Sequence, residues 1–178
     1  EVMNMFDKEY SFKGIHADKV NRLTAKFDDN NQLFRRNYDV YLMAPIVGFL
    51  YQRKSDIDNG DQKPTKIFPE ILIKNQDDLI FNYRLIMLLD KKNAPDIETR
   101  VDKAFRNYNS DRAVEDEALY NQYVLGGIDV LYEKLIEGAH TPEEYMSNLY
   151  DFMEEMDDRY NNSVDSDRIL ELCKLAKK

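Results

Sequence analysis

Four acidic side chains within five positions, Glu154, Glu155, Asp157 and Asp158, make the tightest carboxylate group in the chain. Oxygens at that density hold a divalent cation when a second element supplies further ligands. Left in water, they make an acidic face that docks a basic surface, and charge runs ordinarily stay in water. The docking face is the expectation. Basic charge gathers as Arg35–Arg36 and Arg53–Lys54, one pair at either end of an apolar run, while Arg100, Lys103 and Arg106 line a further segment. Guanidinium and ammonium groups grip phosphate through charge-assisted hydrogen bonds and counterion release. Arg35, Arg36, Arg53 and Lys54 are therefore the candidate contacts to phosphate or to a partner.

Other reactive groupings are missing. His16 and His140 are the only histidines and lack the spacing of a zinc site. Asp56-Ile57-Asp58-Asn59-Gly60-Asp61 begins like a calcium loop, but its twelfth position is Ile67 instead of the bidentate glutamate. Neither a Walker loop nor a GxGxxG turn is present to cradle phosphate. Nothing local marks a serine, or the single Cys173, as a nucleophile. No catalytic, cofactor or metal residue is assigned, and a carboxylate-based metal-dependent enzyme is an alternative only.

The bulk properties agree with a protein-binding role. A chain of 178 residues, 43% hydrophobic and 33% charged, is long enough for one domain with a real core. No apolar run reaches the ~18–20 residues of a membrane span, and the first ten residues show no basic leader followed by an apolar stretch. One cysteine fits a reducing compartment, so the expectation is a cytoplasmic protein without a membrane partner. The net charge of −9 is unevenly placed: residues 1–113 carry 19 basic and 18 acidic side chains, residues 114–167 carry 2 and 15. Such a division orients a basic partner, whereas the pI of 4.8 disfavours general nucleic-acid binding.

The elements that must position these groups read as helices. Tyr38–Arg53 is apolar or aromatic at almost every position after Asp39, too long for a strand and interrupted by Pro45 and Gly48. It reads as the buried central helix of an all-α protein, with a kink or break near Met43–Ala44, because Pro45 has no N–H for the Tyr41 carbonyl. Gly48 invites the close approach of another helix, and Gly126–Gly127 marks the natural candidate. Further helices are expected over 16–27, 77–90, 96–108, 114–138 and 142–160. In the third of these Ile97, Val101, Ala104, Phe105 and Tyr108 face inward and Arg100 outward. Thr141-Pro142-Glu143-Glu144 spells a capping box, and Gly138 a left-handed helix end. Asp28–Asn31 is turn chemistry. Residues 1–13 show no period and read as a poorly ordered lead, 55–65 as a flexible loop, 67–73 as a short helix or, alternatively, an extended segment, and 164–178 as a C-terminal helix. The fold expected is a single compact all-helical domain, 1–178, of about six to eight helices around Tyr38–Arg53.

Two of these stretches carry a family resemblance. DVYLMAPIVGFLYQRK, Asp39–Lys54, resembles the segment with an Asp-Val start, a Gly-aromatic pair and a terminal basic pair in small bacterial proteins encoded with DNA phosphorothioation (dnd) systems. LYNQYVLGGIDVLYEKL, Leu119–Leu135, is similar to their Tyr-x-x-Gly-Gly-aliphatic segment, and the order and separation agree. The stretches bracket about half of the chain; Pro45, the 1–33 extension and the acidic 139–160 segment depart from the pattern. The resemblance implies an accessory role in a bacterial DNA-modification or phage-defence system and carries over no catalytic residue; with the divided charge and the missing catalytic motifs, the expectation is a non-enzymatic component. A DNA-sensing module built on the four basic residues is the alternative reading.

Overall fold

The structure, a computed structural model, describes residues 5–160. The chain falls into two compact units, Glu1–Glu133 and Lys134–Lys178. Among the described residues there are seven α-helices and one two-stranded sheet, so the all-α expectation holds. In order, the chain runs β1 (Tyr10–Phe12), α1 (Gly14–Thr24), α2 (Asn37–Leu50), β2 (Thr65–Ile67), α3 (Pro69–Lys74) and α4 (Gln76–Leu89). Then follow α5 (Ile97–Val101), which passes into a π-helical turn (Asp102–Arg106), α6 (Val114–Leu135) and α7 (Pro142–Tyr160).

Glycine sets the central contact, that of α2 with α6. A Cβ on Gly48 would lie 2.1 Å from the Tyr123 carbonyl oxygen, and one on Gly127 would lie 1.7 Å from that of Ala44. One on Gly126 would meet the Arg53 carbonyl at 2.1 Å. The approach expected from Gly48 and Gly126–Gly127 is present, and both stretches of the family resemblance meet in it. Because backbone replaces side chain at this seam, the stretch 123–131 of α6 is enclosed on all sides: every one of its residues is buried. That position was expected for α2. Instead α2 buries one side, through Tyr38, Val40, Tyr41, Ala44 and Val47, and leaves Met43 exposed. Nor does α2 break; it runs through Pro45, and Asn82 Nδ2 donates to the Leu42 carbonyl at 2.8 Å in the turn that the proline disturbs.

One expectation fails at the N-terminal side because three-residue strands are too short to show a period. Tyr10–Phe12 pairs antiparallel with Thr65–Ile67, Tyr10 opposite Ile67, and Phe6 and Phe12 are fully buried, so 5–13 is no loose lead. Of 67–73, read as a short helix or extended, Ile67 ends β2 and the short helix begins at Pro69, which is pre-set for a first helical position. The 55–65 loop is likewise tied down. Ser55 N–H donates to the Gln122 carbonyl (3.1 Å), Gln122 Nε2 to Asp56 (2.8 Å), and Asp58 Oδ2 accepts the Ile15 N–H (2.7 Å) at the start of α1.

The largest correction concerns 96–108. Ile97 and Phe105 are exposed, while Arg100 is buried and donates to the Ala94 (2.9 Å) and Pro95 (2.7 Å) carbonyls. Phe105 lies in the π-helical turn, which takes in an extra residue and shifts the side chains from there on around the axis. Ile97 and Arg100 precede the turn, and Arg100 is held inward by the carbonyls of the loop before α5. Local chemistry was more readable. Asp28 Oδ1 accepts the N–H groups of Asn30 and Asn31, both at 2.7 Å, and α4 buries Leu79, Tyr83, Ile86 and Met87 as its spacing requires.

Within the second unit, Gly138 adopts φ +79°. The capping box is complete: Glu144 N–H donates to Thr141 Oγ1 (3.3 Å) and Thr141 N–H to Glu144 Oε2 (3.0 Å). Lys134, in the last turn of α6, pairs with Glu155 of α7 at 2.6 Å. Thr141→Ala is expected to lower the unfolding free energy by about 1 kcal/mol through the lost cap, measurable by urea denaturation. The C-terminal helix expected over 164–178, with Cys173, lies outside the described residues.

Candidate functional site

Asp129 is a carboxylate in the middle of the most apolar stretch of α6, and it is 7% exposed. Three side chains from two other segments converge on it. His16 and Lys19, three positions apart and so on one face of α1, both reach Oδ1: Lys19 Nζ at 2.6 Å and His16 Nε2 at 3.3 Å. The Ser55 hydroxyl, carried by the strap after α2, donates to Oδ2. Burial alone would raise the Asp129 carboxyl; the His16, Lys19 and Ser55 contacts overcome it and hold the group well below the usual carboxylate range.

The cluster does not reproduce a nucleophilic relay. Ser55 donates to the carboxylate and not to the imidazole, so no base takes its proton. Among the described residues, no group of three or more His, Cys, Asp or Glu side chains is placed to hold a metal ion. Beside the cluster, His16 forms part of the wall of a polar cavity of about 340 Å³, which Tyr10, Lys13, Asp58 and Asn121 also line. Tyr10 Oη donates to Asn121 Oδ1 at 2.6 Å across one side of it.

The basic pairs singled out in the sequence stay apart. Arg35–Arg36 precedes α2 and Arg53–Lys54 follows it, separated by a 14-residue helix, a distance of about 20 Å. Three of the four have partners within the protein: Arg36 pairs with Asp39 (2.8 Å), Arg53 with Glu133 (2.7 Å), and Lys54 lies over the Tyr123 ring at 5.0 Å. Arg35 is exposed. The acidic quartet lies on α7, where Glu154, Glu155 and Asp158 line a shallow depression with Asp151 and Arg159. Glu155 is engaged by both Lys134 and Arg159, whereas Asp157 does not line the depression.

Sequence reasoning missed an apolar face of the first unit. Phe81, 64% exposed on α4, is the common wall of two grooves. One, of about 500 Å³, runs along Leu42, Met43 and Ile46 of α2; the other, of about 440 Å³, along Leu85, Leu88 and Phe105. Asp77 and Asp78 stand exposed at its edge, and Arg84 lies over the Phe105 ring at 5.0 Å. The only signal of this face was the breadth of the apolar stripe on α4, wider than one buried side requires.

No protein-family profile, curated protein or solved structure matches the chain. No helix among the described residues is long and apolar enough to cross a membrane.

Proposed function

We propose that the protein is a non-enzymatic accessory component of a bacterial DNA-modification or phage-defence system, and that it works by docking another protein of that system on the face around Phe81. The observation that carries the docking role is that face: two apolar grooves sharing one exposed phenylalanine. Contiguous exposed apolar surface of this kind marks interaction sites. The occupant it fits is an amphipathic segment whose apolar residues enter the grooves and whose flanking basic residues meet Asp77 and Asp78. Support for placing it in such a system is the resemblance of Asp39–Lys54 and Leu119–Leu135. The acidic side chains of α7 offer a basic protein a second contact.

Copurification from the native host at native protein levels tests this. The wild-type protein is expected to recover modification or restriction components. Phe81→Glu is expected to lose at least about tenfold of them while unfolding as the wild type does, since an exposed substitution changes stability by about 0.5 kcal/mol or less. Recovery of no such component by the wild type overturns the reading.

A further inference from the structure

Arg84 brings a cation to the Phe81 grooves that the protein does not pair. Its guanidinium is half-buried on α4 and lies over two rings, Phe105 at 5.0 Å and Tyr108 at 5.7 Å. It forms no ion pair among the described residues. Nε is enclosed without a hydrogen-bond partner; the two terminal nitrogens are not enclosed. A guanidinium only donates, so the partner it lacks is an acceptor. The two rings hold the planar fork in place, which lowers the ordering cost of a two-point contact.

The groove that Arg84 lines is otherwise apolar, with Ile80, Phe81, Leu85, Leu88 and Phe105, and Asp77 is its one other charged residue. The companion groove carries Asp39 and Asp78, and Asp39 is paired with Arg36 at 2.8 Å. Asp77 precedes Arg84 by about two turns of α4, some 10 Å along the axis. The face is therefore acidic at the start of α4, apolar through Phe81 and basic two turns on. A nucleic-acid backbone would meet Asp77 and Asp78 beside this one guanidinium, so repeated phosphates do not suit it.

We propose that Arg84 selects the occupant of this face: an amphipathic helix that sets a carboxylate on the Arg84 fork, a basic side chain against Asp77 and Asp78, and its apolar residues between them on Phe81. The inference rests on the docking role of the Phe81 face and adds an acid to what the partner must carry. That acid stands about seven residues from the base, the spacing at which α4 presents their counterparts. A segment with basic flanks alone would cover the guanidinium and leave it unpaired, which is costly for a charge.

A phage-displayed library of random peptides of about 16 residues, long enough for four helical turns, is the probe, panned on the full chain. The wild type is expected to enrich peptides with apolar residues at helical spacing and an Asp or Glu about seven positions from a Lys or Arg. Phe81→Glu is expected to enrich none of them. One enriched peptide is then titrated by fluorescence anisotropy, with its acid kept or replaced by the matching amide. The amide is expected to weaken binding to the wild type about tenfold or more, and to Arg84→Gln about twofold or less, because there the pair is already broken. Arg84→Lys, which keeps the charge without the fork, falls between the two. Urea denaturation confirms that the Arg84 variants fold. Asp77→Lys with Asp78→Lys, both at exposed positions, is the second probe of the same polarity and is expected to exchange the basic position of the enriched peptides for an acidic one. Enrichment that depends on Phe81 but shows no acid, or an amide peptide that weakens equally on wild type and Arg84→Gln, overturns the role of Arg84 and leaves the docking face standing. No Phe81-dependent enrichment overturns both.

Discussion

Gly127→Ala will cost the protein at least about 3 kcal/mol of stability, the upper end of what overpacking does. The reason is the identity of the neighbour. The new methyl would fall 1.7 Å from the Ala44 carbonyl oxygen and 2.9 Å from the Gly48 nitrogen, both backbone, so no side chain can swing aside. Either α2 and α6 separate along their length, exposing the nine buried residues of 123–131, or the carbonyl loses its hydrogen-bond geometry. Gly138→Ala supplies the contrast. Nothing lies within 4 Å of a Cβ there, but φ is +79°, so only the left-handed backbone penalty of about 1–2 kcal/mol is expected. Urea denaturation followed by far-ultraviolet circular dichroism separates the two. A Gly127→Ala protein within about 1 kcal/mol of wild type would show that the helices do not approach as closely as described.

Asp129→Asn is expected to destabilise the protein by about 3–5 kcal/mol at neutral pH, the range for removing one partner of a buried ion pair. The amide keeps the shape of the carboxylate but leaves Lys19, whose side chain is 16% exposed, without its counter-charge. The pH dependence has a definite sign. The folded-state carboxyl titrates well below its ordinary value of about 4, so its contribution is fully present above that pH and is lost as pH falls below it. Wild-type stability is therefore expected to drop between neutral pH and about pH 3 by more than that of Asp129→Asn, which has no carboxyl to protonate. Glu133→Gln is the surface control. Its pair with Arg53 is 40% and 48% exposed on the two sides, and its loss is expected to change stability by less than about 1 kcal/mol. Equal acid sensitivity in wild type and Asp129→Asn would remove the cluster from any role in stability.

The parts of this fold that were legible in the sequence are those whose cause is local. Thr141 and Glu144 are three residues apart and cap each other; Asp28 bonds to the two backbone groups just after it; glycines that permit a close approach announce it by being glycines. The Asp129 site has no local cause. Its partners come from positions 16, 19 and 55, and nothing near any of them names the others. The sequence carries one signal: a single aspartate inside the apolar run Gly126–Leu131, at a position where a solvated carboxylate has no place. Asp90, at the end of the apolar face of α4, is the same case. It is buried and accepts the Tyr123 hydroxyl at 2.7 Å. Arg100 was misplaced because a helical count sorts residues by polarity, and its partners, the carbonyls of Ala94 and Pro95, lie in the loop before the helix.

The reach of the Asp129 cluster bears on how the protein is made. The Lys19–Asp129 bond spans 110 residues and the Tyr10–Asn121 bond 111. At a synthesis rate of roughly 5–20 residues per second, α1 waits on the order of 5–20 s for the carboxylate that neutralises Lys19. Throughout that interval the apolar side of α2 has no glycine seam to close against. The nascent chain thus carries its stickiest surface before its covering helix exists, and α6 acts as the latch that ends the exposure.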